Sequence, residues 1–181
     1  MPYRLKKTVV LVGMMGAGKT AVGRVLAAEL GVPFLDSDAE IEEAAAMSIP
    51  EIFARDGEPF FRRKEAQVIE RLLTETPGIL STGGGAYMQE ANRRAIHDAG
   101  VAVWLDADLD LLWKRVRGRD SRPLLKTDNP RATLAALYEK RVPVYALAEL
   151  SVKASPAYSL QDMAGQVVAA LLTRPDVLET T

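Results

Sequence analysis

The chain has 181 residues, enough for one domain with a substantial core. Its 23 Lys+Arg stand against 24 Asp+Glu, so the net charge of −1 gives no footing for a nucleic acid or a membrane surface. The absence of cysteine excludes a disulfide framework, a thiolate metal site and a cysteine nucleophile, and it fits a reducing compartment.

The first residues, Met1 to Lys7, are basic, but the apolar run after them is too short for the core of a signal sequence. No stretch reaches the ~20 apolar residues of a membrane span. The chain is therefore expected to be cytoplasmic. Thr8 to Val12 is a β-branched apolar run ended by Gly13, which predicts a strand buried on both faces. Lys19 to Leu30 has Val22, Val25, Leu26 and Leu30 at helical spacing and Gly31 just past its end, which predicts a helix. A short strand is expected at Val32 to Leu35. Helices are expected at 39–46, 49–56 and 59–74, broken near Ser48 and Gly57.

A third strand is expected at Gly78 to Thr82, a helix at Gln89 to Ala99, a fourth strand at Val101 to Leu105 and a helix at Leu109 to Arg117. Gly118 to Pro130 is polar and long for a connection, as active-site lids are. Helices at 131–146 and 160–172 flank a last strand at 150–153. The tail 174–181 is expected to be disordered. Strands alternating with helices imply a parallel sheet covered on both faces, with ligands beyond the carboxyl ends of the strands.

Every chemically suggestive motif follows a strand. Gly13-Met-Met-Gly-Ala-Gly-Lys-Thr20 matches the pattern G-x-x-x-x-G-K-[ST] between a strand and a helix. Its glycines let backbone N–H groups converge on phosphate oxygens, and the helix start adds positive potential. Lys19 supplies a charge for phosphates, and Thr20 a hydroxyl for Mg²⁺. The motif implies a nucleoside triphosphate but no particular reaction.

Asp36-Ser-Asp38 puts two carboxylates on one strand tip. They could serve Mg²⁺ and a substrate hydroxyl, or Ser37 or Asp38 could simply cap the next helix. Gly83-Gly-Gly85 allows close approach of a ligand to the backbone, or is a flexible turn. Arg63 and Lys64 read as a solvated helix face. Arg115, Arg117, Arg119 and Arg122 crowd the lid without the aromatic interleaving of a nucleic-acid surface. His97, the single histidine, lies far from every motif and is read as a surface residue.

The ordered set of motifs resembles the shikimate kinase family. It comprises the phosphate loop, Asp-Ser-Asp at 36–38, Phe-Arg-Arg at 61–63, Leu-Ser-Thr-Gly-Gly-Gly at 80–85, Arg-Pro-Leu-Leu at 122–125 and Arg-Val-Pro-Val-Tyr at 141–145. The resemblance runs from Lys7 to about Leu172. It implies a three-layer α/β/α P-loop kinase with a five-stranded parallel sheet and a mobile lid at about 118–130, all within one domain of residues 1–173. It implies ATP and Mg²⁺ as cofactors and shikimate as the small-molecule acceptor, phosphorylated on its 3-hydroxyl. The chain is expected to act as a monomer.

By the same resemblance, Lys19, Asp38 and Arg122 are catalytic. Asp38, Arg62, Gly84 and Arg141 hold shikimate, the two arginines on its carboxylate. Gly16, Ala17, Gly18, Lys19, Thr20, Ala21, Arg115 and Arg122 bind the nucleotide, with the adenine loop falling near Lys153 to Pro156. Thr20 meets the metal directly, and Asp36 meets it through water. Two other readings share the phosphate loop. A gluconate kinase would not need Asp38, Arg62, the glycine triplet and Arg141 together. A regulatory protein without turnover would not need Lys19, Asp38 and Arg122 together.

Overall fold

The computed structural model describes residues 2–117 and 125–181. The elements in chain order are β1 (Tyr3–Leu5), β2 (Thr8–Val12), α1 (Lys19–Leu30), β3 (Phe34–Asp36), α2 (Ser37–Ala45), α3 (Ile49–Leu73) and β4 (Ile79–Ser81). After a 3₁₀ turn at Ala86–Met88 come α4 (Glu90–Ala99), β5 (Gly100–Asp106), α5 (Leu109–Val116), α6 (Pro130–Tyr145), β6 (Leu150–Lys153), α7 (Leu160–Leu171) and β7 (Leu178–Thr180).

Five strands form one parallel sheet in the order β3-β4-β2-β5-β6. β2 lies at its centre, and all five of its residues are buried, which is why Thr-Val-Val-Leu-Val carries no alternation. The chain leaves β2 toward β3 on one side, then crosses from β4 to β5 on the other. That reversal opens a crevice at the carboxyl ends of the central strands. α1 packs with α7, and α3 with α4, so helices cover both faces as the alternation predicts.

α3 is two helical segments that meet at Gly57, where φ 83 and ψ 170 leave the helical region. The break expected there is therefore a kink rather than a loop, with Pro59 just beyond it. Ile52, Phe61, Val68, Ile69 and Leu72 form the buried stripe of α3.

The carboxyl-terminal segment departs from the sequence expectation. Residues 174–181, expected to be disordered, instead end in β7, which pairs antiparallel with β1, Tyr3 opposite Thr180 and Leu5 opposite Leu178. Val177 and Leu178 are buried, and Lys6 Nζ lies 2.9 Å from Glu179 Oε2. The partner strand sits at the other end of the chain, beyond the reach of a local reading. Of the expected lid, residues 118–124, with Arg119 and Arg122, lie outside the described residues; Leu125 is buried. No described helix is long and apolar enough to cross a membrane.

Candidate active site

The loop from Gly13 to Gly18 joins β2 to α1. Gly16 and Gly18 have φ 85 and 93, in the left-handed region that a side chain rarely enters. Gly18 caps α1, and no side chain bonds to the first N–H groups of that helix. No acidic residue occupies its first turn either. The uncapped helix start and the positive end of its dipole suit an anion. Met14 and Met15 are buried and anchor the loop in the core. Lys19 Nζ donates to the Gly13 carbonyl at 2.6 Å and the Met14 carbonyl at 3.1 Å, so its charge sits over the loop.

A cavity of about 430 Å³ opens beside this loop, lined by residues 15–22 together with Arg115, Tyr158, Ser159, Leu160 and Met163. Arg115 donates from Nη1 to the Gly16 carbonyl at 2.9 Å. Burial lowers its pKa from the ordinary arginine value. The wall opposite comes from Tyr158 to Leu160, just past the 153–156 stretch that the family resemblance suggested. Gly16, Ala17, Gly18, Lys19, Thr20, Ala21 and Arg115 thus share one cavity. A second cavity, about 380 Å³ between α2 and α3, is lined by none of the expected site residues.

Asp36 ends β3, and its Oδ1 accepts from the N–H groups of Asp38 at 2.9 Å and Ala39 at 3.2 Å. Asp36, not Ser37 or Asp38, is therefore the cap of α2. This frees the Asp38 carboxylate from capping. The second Asp36 oxygen lies 3.4 Å from Thr20 Oγ1, placing hydroxyl and carboxylate side by side at the mouth of the phosphate loop. Asp38 is pushed up to about 6, first by burial and then by Asp36, with Lys19 and Arg62 pulling the other way.

The glycine triplet after β4 explains how Asp38, Arg62 and Arg141 meet. A Cβ on Gly83 would sit 2.9 Å from Asp38 Oδ1. On Gly84 it would lie 2.7 Å from Arg141 Nη1, and on Gly85 2.5 Å from Arg62 Nη2. Each glycine faces the polar end of a different side chain, which an added Cβ would have to push aside. Asp38 from α2, Arg62 from α3 and Arg141 from α6 thus converge on one backbone segment.

One residue of this cluster escaped the sequence reading. Glu65 is buried, with 1% exposure, and accepts from Arg62 Nη1 at 2.8 Å. Burial raises its pKa, against the opposing pull of the Arg62 guanidinium. The signal was present: Glu65 falls four residues after Phe61 and three before Val68, on the apolar stripe of α3, where an acid needs a partner. Arg63 and Lys64 are exposed as expected, and His97 is exposed 3.7 Å from Glu149.

A lysine-bearing glycine loop between a central parallel strand and a helix, facing an acid–arginine cluster, defines a P-loop small-molecule kinase. A family model described as shikimate kinase matches residues 15–172. A shikimate kinase of Ruegeria pomeroyi is 66% identical over 97% of this chain and 90% of its own length. A solved shikimate kinase from Acinetobacter baumannii, in complex with shikimate, is 38% identical and superposes with a TM-score of 0.86 over 92% of this chain and 93% of that one. The chain belongs to the shikimate kinase family. A gluconokinase from Sinorhizobium meliloti, 17% identical with a TM-score of 0.61 over 94% of each chain, shares the fold alone.

Proposed function

We propose that this chain transfers the γ-phosphoryl group of ATP to the 3-hydroxyl of shikimate, giving shikimate 3-phosphate and ADP. The observation that carries this reading is the convergence of Asp38, Arg62 and Arg141 on the glycine triplet, with Lys19 near enough to act on the Asp38 carboxyl. Phosphoryl transfer asks for alignment, charge neutralisation and exclusion of water rather than covalent help. Lys19 and the α1 N–H groups receive the triphosphate. Arg62 and Arg141 present planar donor forks to the acceptor's carboxylate. Asp38 accepts the proton of the attacking hydroxyl, and Gly84 offers its backbone to the ring.

Mg²⁺ held here would offset the negative charge that develops on the phosphoryl group. Thr20 and, through water, Asp36 suit that ion, which keeps several waters and takes few protein ligands. Their 3.4 Å proximity fits such a site. The described residues hold no group of three or more acidic or histidine side chains placed for a metal. Arg122, in the proposed lid, belongs to the same reading as a charge brought to the phosphoryl group on closure, and Arg115 as a neighbour of the base. A monomeric, cytoplasmic enzyme completes it.

The direct test is ADP release from MgATP with shikimate, with gluconate and with no acceptor. Rapid release is expected with shikimate alone. Equal rates in all three reactions would point to a regulatory nucleotide binder, and a gluconate preference to the wrong acceptor.

A second expectation arises from the triplet. Gly85→Ala puts a methyl group where Arg62 Nη2 lies, and Glu65 holds that guanidinium against retreat. Shikimate binding should weaken about tenfold, the order expected for one disturbed charged hydrogen bond. ADP binding should stay unchanged. Calorimetry with both ligands checks this, and wild-type shikimate affinity would place Arg62 outside the acceptor site.

A further inference from the structure

We propose that Tyr145 is a positioning residue for the acceptor site, its hydroxyl locking the Gly84–Gly85 peptide and the Arg141 guanidinium into one arrangement. This rests on the reading of that cluster as the shikimate site. Tyr145 closes α6 and is fully buried, yet it carries a polar atom deep into the fold. The hydroxyl donates to the Gly84 carbonyl at 2.6 Å. A Cβ on Gly84 would lie 2.7 Å from Arg141 Nη1 and 3.6 Å from the Tyr145 hydroxyl, so guanidinium and phenol sit side by side against that glycine. Burial pushes the phenol up to about 12, which keeps it a proton donor throughout the working range.

The consequence follows from peptide geometry. The Gly84 carbonyl and the Gly85 N–H belong to one planar trans unit and point in opposite directions. Fixing the carbonyl on Tyr145 therefore fixes the Gly85 N–H away from it. Among the described residues no protein group accepts from the N–H of Gly84 or Gly85. Without the phenol, a glycine-glycine peptide would be free to rotate. The ring itself is held by Trp104 of β5, stacked at 6.4 Å with 30° between planes. Trp104 Cδ1 lies 3.6 Å from where a Cβ on Gly13 would fall, so the same aromatic pair reaches from the acceptor cluster to the start of the phosphate loop.

The test compares wild type with Tyr145→Phe, which keeps the ring and removes the hydroxyl. Shikimate Kd and KM should rise about threefold to tenfold, the fold-change of one net hydrogen bond. ADP Kd and the KM for ATP should stay where they are. Unchanged shikimate affinity overturns the proposal. An equal loss for both ligands, with a lower Tm, also overturns it, because the phenol would then serve packing alone. In the wild type, the Tyr145 hydroxyl proton should exchange slowly and shift with shikimate but not with ADP. A resonance indifferent to shikimate counts against the proposal even if the variant does not fold. The underlying acceptor assignment fails separately, if the wild type itself binds no shikimate.

Discussion

Lys19→Met is expected to lower turnover by about 10²–10³-fold, the loss typical of removing one preorganised charge from developing negative oxygens. Methionine keeps most of the side chain's length and apolar stem but not its charge. The ammonium rests on the Gly13 and Met14 carbonyls, 2.6 and 3.1 Å away. It is thus already held over the loop where phosphates would enter, and little reorganisation is needed to meet them. The same charge reaches the other half of the site, because Lys19 is one of the two cations that hold down the pKa of Asp38. The variant should therefore also move the acidic limb of its pH–rate profile to higher pH. The measurement is kcat and kcat/KM for shikimate across pH, with Tm recorded to follow the lost carbonyl contacts. Turnover within about twofold of wild type would make Lys19 a strut of the loop rather than a catalytic charge.

The fold was legible where its signals were local. The β-branched run of β2, the Gly13 that ends it and the alternation of strands with helices announce a parallel sheet without any knowledge of partners. The phosphate loop is legible for the same reason, since Gly13 to Thr20 is contiguous and its geometry is its own. The acceptor cluster was legible only as scattered residues. Asp38, Arg62 and Arg141 could be named, but the feature that joins them could not. It is the fit of Gly83, Gly84 and Gly85 each against one of those side chains, and it exists only once α2, α3 and α6 have packed. Glu65 was hidden among charged neighbours, although its place on the buried stripe set it apart. Tyr145 could be named as the end of the Arg-Val-Pro-Val-Tyr motif, but nothing local shows its hydroxyl meeting a carbonyl on a different loop. β7 was missed because its partner is β1, and the ion pairs along that ribbon are half-exposed and weak individually.

Asp38→Asn is expected to lower kcat by about 10²–10⁴-fold, the range for lost general-base help, while ADP affinity changes little. Asparagine preserves shape, and Asp36, not Asp38, caps α2, so the helix keeps its start. A base must be ionised to work, and burial pushes Asp38 up to about 6. For the wild type, kcat/KM for shikimate should therefore fall about tenfold per pH unit below roughly pH 6, because that ratio reports the free enzyme. The same shift makes a second, opposite prediction for stability. The folded pKa is raised above the ordinary 3.8, so Asp38 binds its proton more tightly when folded. Its favourable contribution is fully present below about pH 4 and is lost as pH rises through 6. Above that, a half-buried carboxylate remains ionised at a cost of about 2 kcal/mol, taking 1.4 kcal/mol per unit and discounting for its partial exposure. Asparagine carries no such charge. At pH 8 the variant should melt roughly 4–8 °C above wild type, and the difference should vanish near pH 4. A less active but more stable protein would show that the site holds its base in an unfavourable environment for the sake of the reaction. Near-normal turnover would leave Asp38 as a group that only positions the hydroxyl, and a Tm at pH 8 no higher than that of wild type would mean that its burial costs the fold nothing.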